Sequence, residues 1–438
     1  MNKSLWAEGL SATRFPHLAE SLHVDVAIIG GGFSGLWSAY HLLKKKPELK
    51  IALFEARHLG YGASGRNGGW ISSDYPVYRS TLKKRHGEEK TRLVFQSLQH
   101  SIDDIGTFAQ RYAPDSGFVK GGTVMFARNK AQEVRLKSGV DSEHHWLNSA
   151  ELANIITVER ARGGLFNPEC ASVNPMLLLQ GLVRFLEGKI SLYENSPAAE
   201  IAPHQLAVNS SLVHAHIVIN ATEVYRPAPR HQIPLYSLMV ATNPLPESLW
   251  REIGNAQRAT FAEGLHLINY AQRTVDNRLA IGGRGARYPW GSRLNGEIEN
   301  SSRVHQSLRN LARSWFPQLK EIEFTHAWGG AVAITRDWEP YVQWDKEFNY
   351  GVIGGYAGDG MTMSFLAARA LAEEICDGID DIRGLHFINR RTRQWEREPL
   401  RYCAVNTLVK LSDIADYEER LTKRPSLLSR LIEPLILR

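Results

Sequence analysis

One glycine cluster near the start of the chain limits the fold more than any other feature. Residues 24–29 (VDVAII) favour a β-strand, and Gly30, Gly32 and Gly35 follow directly in GGGFSG, ahead of an apolar helix-forming run. Gly30 permits a tight turn, and Gly35 lets the helix pack closely on the strand. The segment therefore predicts a strand, a turn and a helix, with a second buried strand in KIALFEA, residues 50–56.

The spacing of this segment is typical of dinucleotide binding. The missing side chain of Gly32 lets a pyrophosphate approach the backbone, where the N–H groups of the helix start would receive its charge. Glu55 follows Gly35 by twenty residues, a position from which a carboxylate accepts from a ribose hydroxyl, and it favours a free 2′-OH over a 2′-phosphate. An ordinary βαβ crossover without a ligand is the alternative. The predicted contacts are Gly30, Gly32, Phe33, Ser34, Gly35, Glu55 and Ala56.

Length and composition exclude several other classes. A chain of 438 residues should hold two domains or one large discontinuous pair. The three cysteines, Cys170, Cys376 and Cys403, lie far apart, so we expect neither a disulfide framework nor a metal site, and a cytoplasmic location. No apolar run approaches the roughly eighteen residues of a membrane span, and the opening lacks the apolar stretch of a signal peptide. The net charge of +6 is modest and no basic-aromatic motif accompanies it, so no nucleic-acid partner is expected.

Helix and strand patterns alternate irregularly, which suggests interleaved domains. We expect helices over 79–112 and 174–188 and strands over 118–127 and 215–222. Strands at 233–242, 264–271 and 278–285 are spaced like an antiparallel sheet, and a sheet outside the dinucleotide fold is a natural place for a substrate pocket. Residues 350–375 return to strand, glycine turn and helix, so a second helix start would face a ligand.

Four separated segments together resemble the D-amino-acid oxidase superfamily of FAD-dependent amine oxidoreductases. They are IIGGGFSGLWSAYHL, GYGASGRNGGW, WGGAVAITRDWEPYV and GGYAGDGMTMSFLAARALAEEI. The GASGRNGG block and the late WEREPLR are most similar to the branch of γ-glutamylputrescine and aminophosphonate oxidoreductases. The resemblance runs from about residue 24 to residue 400. It is specific for the superfamily and not for one substrate.

This resemblance implies an α/β fold in which a Rossmann-like (βαβ) FAD-binding domain is interleaved with an antiparallel-sheet substrate domain. The FAD-binding domain would comprise residues 1–80, 165–225 and 328–380, and the substrate domain 81–164 and 226–327, with a C-terminal helical extension over 381–438. It also implies that GASGRNGG wraps the flavin and that the GDGMTMS turn directs backbone N–H groups at the pyrimidine end of the ring. The further FAD contacts it implies are Ser64, Gly65, Arg66, Asn67, Gly68, Gly69, Gly358, Asp359, Gly360, Met361 and Thr362.

Two residues depart from the family pattern near the cofactor. Asp359 stands where many members have histidine, and an ionised carboxylate there would partly cancel the helix dipole. Glu223 stands where members often have the glycine of an ATG-like turn, so the backbone conformation there can differ from theirs. The strand before it is retained, and the prediction of FAD does not change. Trp70 follows the flavin-wrapping segment, either as a roof over the ring or as simple packing.

The chemistry implied is oxidation of a primary or secondary amine to an imine by hydride transfer to flavin N5, followed by imine hydrolysis and flavin reoxidation by oxygen. An amine dehydrogenase that passes electrons to quinone or another acceptor is the first alternative. A non-catalytic or RNA-modification-linked FAD protein is the second. A small-molecule amine and an electron acceptor are therefore the expected partners.

The substrate-pocket candidates follow from one further departure. Val332 occupies the position at which glycine oxidase and D-amino-acid oxidase carry a carboxylate-clamping arginine, and an apolar side chain cannot form that bidentate pair. Arg336 could serve only if its loop curls back. GGRGARYPW offers other cations, and GLHLINY carries polar residues at alternating positions. From these two stretches come Arg284, Arg287, Tyr288, Trp290, His266 and Tyr270, each with surface or core packing as the alternative.

The last segment, SLLSRLIEPLILR, carries an apolar stripe. The stripe consists of Leu427, Leu428, Leu431, Ile432, Leu435 and Ile436. A helix lying on a membrane would suit electron transfer to quinone. Because Pro434 interrupts the stripe and the basic charge is modest, packing on the protein itself or on a partner subunit is preferred.

Overall fold

The computed structural model describes residues 4–10, 14–227 and 230–429. Most of the predicted C-terminal stripe, from Leu431 to Ile436, lies outside them. The strands are β1 (Leu22–Ile29), β2 (Ile51–Phe54), β3 (Trp70–Ser72), β4 (Thr123–Ala127), β5 (His145–Asn148), β6 (Gly163–Asn167), β7 (Cys170–Ser172), β8 (Ser191–Tyr193), β9 (Ala198–Ala202), β10 (Gln205–Val208), β11 (Ser211–Asn220), β12 (Gln232–Thr242), β13 (Thr260–Glu263), β14 (Asn269–Arg273), β15 (Leu279–Gly283), β16 (Phe324–Thr335), β17 (Tyr341–Asp345) and β18 (Tyr350–Gly354). The α-helices are α1 (Phe33–Lys45), α2 (Arg79–His86), α3 (Glu88–Tyr112), α4 (Lys130–Lys137), α5 (Ser149–Ala153), α6 (Pro175–Leu186), α7 (Glu247–Ile253), α8 (Gly296–Glu299), α9 (Ser302–Trp315), α10 (Gly360–Ile375) and α11 (Leu400–Thr422).

The first sheet is built around parallel strands in the order β18-β11-β1-β2-β8, with β17 antiparallel at one edge. Val26 of β1 lies between Ile51 of β2 and Ile217 of β11. Buried parallel strands read as continuous apolar runs, as in AIIG and IALF. The predicted α/β class with a Rossmann-like βαβ unit is confirmed.

Helices α1, α3, α6 and α10 form the main core with this sheet. Helix α10 packs against α1, and its buried residues include the small side chains of Ala367, Ala368 and Ala370. Asn174 caps α6 by accepting from the N–H groups of Met176 and Leu177. The predicted helix over 79–112 is present but divided at Gly87, whose φ of +86° breaks it into α2 and α3.

The second sheet has the order β16-β12-β15-β14-β13-β4-β6-β5. Its neighbours are antiparallel except for β13 and β4, which are parallel. Helix α9 covers it, with Trp315 and Leu308 buried among the sheet's apolar residues. The antiparallel sheet predicted from strand spacing is therefore present. It also contains one parallel pair, β4 and β13, which could not be predicted because these strands are far apart in the sequence.

Two strand predictions need correction. The strand predicted over 264–271 begins only at Asn269, because the backbone N–H groups of His266 and Leu267 bond to the carboxylate of Asp416 rather than to a neighbouring strand. The strand predicted over 118–127 begins at Thr123. In both places the alternation of apolar residues extends beyond the regular strand.

The predicted domain boundaries stay a prediction, although the sheets divide at other residues. Strands β6 and β16 belong to the second sheet and extend across positions 165 and 328. Helix α3 contributes Leu98 and Ile102 to the core of the first sheet. Of the region 381–429, residues 400–422 form α11.

Helix α11 lies against two loops of the second sheet. Asp416 binds the loop that precedes β14, and Asn406 exchanges hydrogen bonds with the backbone of Tyr288, in the loop that follows β15. Across the described residues, no helix combines the length and apolar character needed to cross a bilayer.

Candidate active site

The glycine turn after β1 forms a cradle for the cofactor. Gly30 has a φ of +109°, and a side-chain carbon added to it would lie 2.9 Å from the carbonyl oxygen of Ala221. One added to Gly35 would lie 2.0 Å from the carbonyl oxygen of Gly30, so the helix could not approach the strand with any larger residue. Phe33 donates its N–H to Ser64 Oγ at 2.9 Å, which brings the GASGRNGG segment to the start of α1.

Glu55 lies beside this turn. Its carboxylate accepts from the N–H groups of Gly31 at 2.9 Å and Arg57 at 2.8 Å. Burial raises its pKa, and these two hydrogen bonds oppose the rise. A carboxylate has about four acceptor positions, so the two backbone bonds leave capacity for the ribose hydroxyls predicted from the sequence.

The GASGRNGG segment connects the two sheets. Asn67 closes it on itself, because its amide donates to Ser64 O at 2.8 Å and accepts from the Gly69 N–H at 2.7 Å. Trp328 of β16 donates to Arg66 O at 3.0 Å, and Gln272 of β14 donates to Gly68 O at 2.6 Å. The segment therefore lies between the dinucleotide cradle and the second sheet, where the resemblance places a flavin.

The start of α10 lies beside the start of α1. The preceding turn contains Ala357 and Gly358 with φ of +53° and +113°, and Asp359 occupies the N-cap without a side-chain capping bond. Tyr356 is joined to α1 by a 2.9 Å hydrogen bond between its hydroxyl and Ser34 Oγ. The glycine cradle and this helix start thus converge on one space.

Two buried polar atoms support the fit of a polar ring system in this region. Thr362 Oγ1, in the first turn of α10, and Trp70 Nε1, after the GASGRNGG segment, are buried and have no hydrogen-bond partner among the described residues. Such atoms are costly unless a ligand or water satisfies them. The residues present therefore fit FAD.

Tyr270 lines the cleft on the side of the second sheet. Its ring fills the space above two glycines, since side-chain carbons added to Gly68 and Gly282 would lie 2.6 Å and 2.4 Å from it. Its centroid lies 6.1 Å from that of Trp70, edge to face. Its hydroxyl bonds to Ser237 Oγ at 2.7 Å, and burial raises its pKa, so the phenol stays protonated.

Arg284 lies at the end of β15 beside the α10 turn. Its Nη2 donates to Ala357 O at 2.6 Å, and its guanidinium carbon lies 5.3 Å from the centre of the Trp338 ring. A side-chain carbon added to Gly358 would lie 3.1 Å from the same Nη2. Arg284 therefore approaches the turn that the resemblance assigns to the flavin.

The other predicted cations lie in different surroundings. Arg336 binds both carboxylate oxygens of Glu396, at 3.0 and 3.1 Å, and lies over Trp395. Arg287 is exposed. Val332 packs against Leu235 in an apolar cluster. Among the three arginines, Arg284 is the one held at the α10 turn.

His266 and Tyr288 contact the C-terminal extension. His266 bonds to Glu419 at 2.9 Å within an ion pair that also includes Arg135. Burial alone would raise the pKa of Glu419, but hydrogen bonds from His266 and Arg135 hold it at about 2. Tyr288 is buried and donates its hydroxyl to Glu398 at 3.0 Å. The structure therefore separates His266 from the strand that carries Tyr270.

Three further residues of this region were not predicted as site residues. Ser237 orients Tyr270, and Glu299 forms an ion pair with Arg66 at 2.8 Å. Glu223 has a φ of +45°, a left-handed conformation that glycine adopts readily. Only Glu223 carried a sequence signal, as a departure from the family pattern; the other two depend on contacts between distant segments.

Comparison with known proteins agrees with this geometry. A family model described as FAD dependent oxidoreductase matches residues 25–374. The chain belongs to this family, and its cofactor is FAD. It is 28% identical over 393 residues to the Rhizobium meliloti protein named "Probable oxidoreductase OrdL", covering 84% of this chain and 87% of that protein. It is 27% identical over 379 residues to γ-glutamylputrescine oxidoreductase of Escherichia coli, with 82% and 85% covered.

Solved structures agree on the fold. Glycine oxidase from Geobacillus kaustophilus matches with a TM-score of 0.69 and 19% identity, over 84% of this chain and all of that one. The fold of this oxidoreductase is therefore shared with enzymes whose identity to it is low. The predicted branch is confirmed by the E. coli relative, whereas the roles of individual site residues stay predictions.

Proposed function

We propose that this FAD-dependent oxidoreductase oxidises a primary or secondary amine whose anionic group, if it has one, lies away from the reacting carbon. One observation carries this proposal. Val332, at the position of the family's arginine, is apolar and packed, whereas a different arginine, Arg284, lies at the α10 turn. FAD supplies a hydride acceptor for the carbon that bears the nitrogen, and water then hydrolyses the imine.

The residues of the cleft would prepare the amine for this chemistry. Trp70 and Tyr270 give the pocket aromatic walls, and a low-dielectric environment lowers the pKa of an amine towards the neutral, reactive form. The protonated hydroxyl of Tyr270, held by Ser237, offers a fixed hydrogen-bond partner. The protein therefore contributes orientation and desolvation rather than a dedicated base.

Arg284 would bind the distant anionic group of the substrate. The name of the E. coli relative describes a substrate with a γ-glutamyl group attached to putrescine, which supports a carboxylate remote from the oxidised amine. On this basis, glycine and simple D-amino acids should be poor substrates, because Val332 cannot bind an α-carboxylate.

The test compares anionic amines with uncharged analogues of similar shape. Arg284→Met should reduce kcat/KM for an anionic amine. If the charge pair is desolvated, the reduction should correspond to a loss on the order of 2–5 kcal/mol in transition-state binding. It should change little for the uncharged analogue. Arg287→Gln, at an exposed position, is the matched control. Efficient turnover of glycine, or equal losses for charged and uncharged amines, would overturn the proposal.

Oxygen is the proposed electron acceptor, and a dehydrogenase that uses quinone is the alternative. The yellow holoenzyme should bleach on mixing with a substrate amine without air and regain colour when air is admitted. Colour that returns only with a quinone would select the dehydrogenase. Absence of bleaching across polyamine conjugates, aminophosphonates, cyclic imino acids and N-methyl amino acids would favour a non-catalytic FAD protein.

The proposed location is the cytoplasm, with no nucleic-acid partner. Cys170, Cys376 and Cys403 are all free thiols, which supports a reducing compartment. Treatment of the native protein with a thiol reagent should modify exposed Cys403 first, since Cys170 is buried and burial raises its pKa.

A further inference from the structure

Glu223 combines an unfavourable backbone conformation with a buried carboxyl group. It follows β11, and its φ of +45° lies in the left-handed region, which non-glycine residues adopt at a cost of about 1 kcal/mol or more. Resembling proteins often carry glycine at this position. This chain therefore combines the left-handed backbone conformation with a side chain that carries a carboxyl group.

The carboxyl group of Glu223 binds the turn that begins α10. Its Oε1 accepts from the N–H of Tyr356 at 3.3 Å. The backbone N–H groups of Tyr356, Ala333 and Gly355 also oppose the rise of its pKa. A side-chain carbon added to Gly354 would lie 3.1 Å from Glu223 Cγ. The side chain of Glu223 therefore joins the end of β11 to the turn before α10.

The turn before α10, residues 355–357, also binds the side chain of Arg284. Ala357 directly follows Tyr356, donates its N–H to Ala333 O at 3.2 Å and accepts from Arg284 Nη2 at 2.6 Å. Ala357 has a φ of +53°, so the turn needs support from its neighbours. Hydrogen bonds thus run from the Glu223 carboxylate through the turn to the guanidinium of Arg284.

We propose that Glu223 is a positioning residue for substrate selection: its ionised carboxylate fixes the turn at 355–357 and thereby aims Arg284 at the anionic group of the ligand. This inference rests on the proposed function of Arg284. On this inference, two residues take over the role of the arginine that other family members carry at the position of Val332. Arg284 binds the anion, and Glu223 sets the orientation of Arg284.

The ionisation of Glu223 gives the inference a direction with pH. Burial raises its pKa to about 7, and the backbone N–H groups oppose that rise. Tyr341 and Tyr356 face the carboxyl group and Arg226 lies beside Tyr341; burial raises the pKa of Tyr341 to about 12 and that of Tyr356 also upward, so neither phenol titrates near neutrality. Above pH 7 the carboxylate holds the turn more firmly, and anion binding should tighten. Its electric field alone would act in the opposite direction, because ionisation would repel an anion.

The experiment measures binding of benzoate, a carboxylate without an amine to oxidise, by the shift it causes in the flavin absorbance of the holoenzyme. For the wild type, we expect the Kd to fall by about threefold or more from pH 6 to pH 8. Glu223→Gln should raise the Kd at pH 8 by about fivefold and abolish the pH dependence. FAD content should stay at wild-type stoichiometry. Glu374→Gln, a buried carboxylate at the other end of α10, is the matched control and should leave the Kd unchanged.

A double-mutant cycle separates positioning from a general structural effect. Arg284→Met should weaken benzoate binding, and adding Glu223→Gln to that variant should weaken it no further, because the positioned group is gone. Glu223→Gly removes the backbone strain together with the carboxyl group, and it should also lose the pH dependence of benzoate binding.

The outcomes distinguish the two proposals. Additive losses in the double variant, a Kd that rises with pH in the wild type, or an unchanged Kd in Glu223→Gln overturn the positioning role while the Arg284 proposal stands. An unchanged Kd in Arg284→Met, or no benzoate-induced shift in the wild type at pH 8, overturns both.

Discussion

The guanidinium of Arg66 forms an ion pair with the carboxylate of Glu299 at 2.8 Å, and both side chains are largely buried. Arg66 belongs to the GASGRNGG segment, and Glu299 ends the short helix α8 beside β16. Burial raises the pKa of Glu299 and Arg66 opposes the rise. The ion pair therefore attaches the GASGRNGG segment to helix α8 beside the second sheet.

Removing one charge of this pair should destabilise the fold. Glu299→Gln replaces a charged hydrogen-bond acceptor of Arg66 by a neutral amide, so we expect a loss of about 1–3 kcal/mol in the free energy of unfolding, measured by denaturant titration. Glu187→Gln removes the partner of Arg14 in an exposed pair and should cost no more than about 0.5 kcal/mol. Equal effects in the two variants would contradict the importance of burial.

A side chain at Gly32 should abolish FAD retention. In Gly32→Val the added atoms would enter the space of the pyrophosphate, and the first of them would lie 2.7 Å from Ser64 Oγ. The measurement is flavin absorbance per mole of purified protein. Gly384→Ala is the control, since its added carbon would make only an ordinary contact at 3.4 Å with Leu93. Normal flavin content in the Gly32 variant would show that the cradle is assigned to the wrong residues.

Glu55→Gln should weaken FAD binding and spare the chemical step. A neutral amide accepts a hydrogen bond from a ribose hydroxyl less strongly than a carboxylate does, so the Kd for FAD should rise by about tenfold, which corresponds to about 1.4 kcal/mol. Flavin fluorescence titration gives the Kd. The rate of flavin bleaching at saturating FAD should match the wild type; a slower rate would place Glu55 in the reaction itself.

Acid should remove the stabilisation that Glu339 provides. Burial alone would raise its pKa, but hydrogen bonds from His386 and Arg85 hold the pKa at about 2. A group whose pKa is depressed on folding contributes stability above its unfolded pKa, so Glu339→Gln should cost about 3 kcal/mol at pH 7. The difference between variant and wild type should shrink as pH falls from about 4.5 towards 2.

The control for this pH series is Asp377→Asn. Asp377 pairs with Lys346 in full exposure to solvent, so its replacement should leave the unfolding free energy nearly unchanged at every pH. A constant difference between Glu339→Gln and the wild type across the whole pH range would contradict the assigned cause.

The strand, glycine turn and helix that we assign to the cofactor could be predicted because their determinants are local. The turn glycines, the helix after them and Glu55 lie within one short segment whose spacing reflects backbone geometry. The environment of His266 could not be predicted, because its partners Arg135 and Glu419 come from distant segments. The alternation of His266 and Tyr270 with apolar residues indicated one shared strand. In the structure, the backbone N–H groups at 266 and 267 bond instead to the carboxylate of Asp416 in α11. Val332 was identified by alignment with a motif, whereas the position of Arg284 depended on how a loop after β15 meets the start of α10.

The interleaving of the two sheets affects how the molecule can be assembled. Strand β1 is completed by β11, and β11 by β18, yet β4 to β6 of the second sheet are synthesised before β11, and β12 to β16 before β18. Pairings of such long range are formed slowly, since the intervening chain must first be ordered. Neither sheet can therefore be excised as one continuous segment, and the chain must be synthesised as far as Gly354 before the first sheet can close.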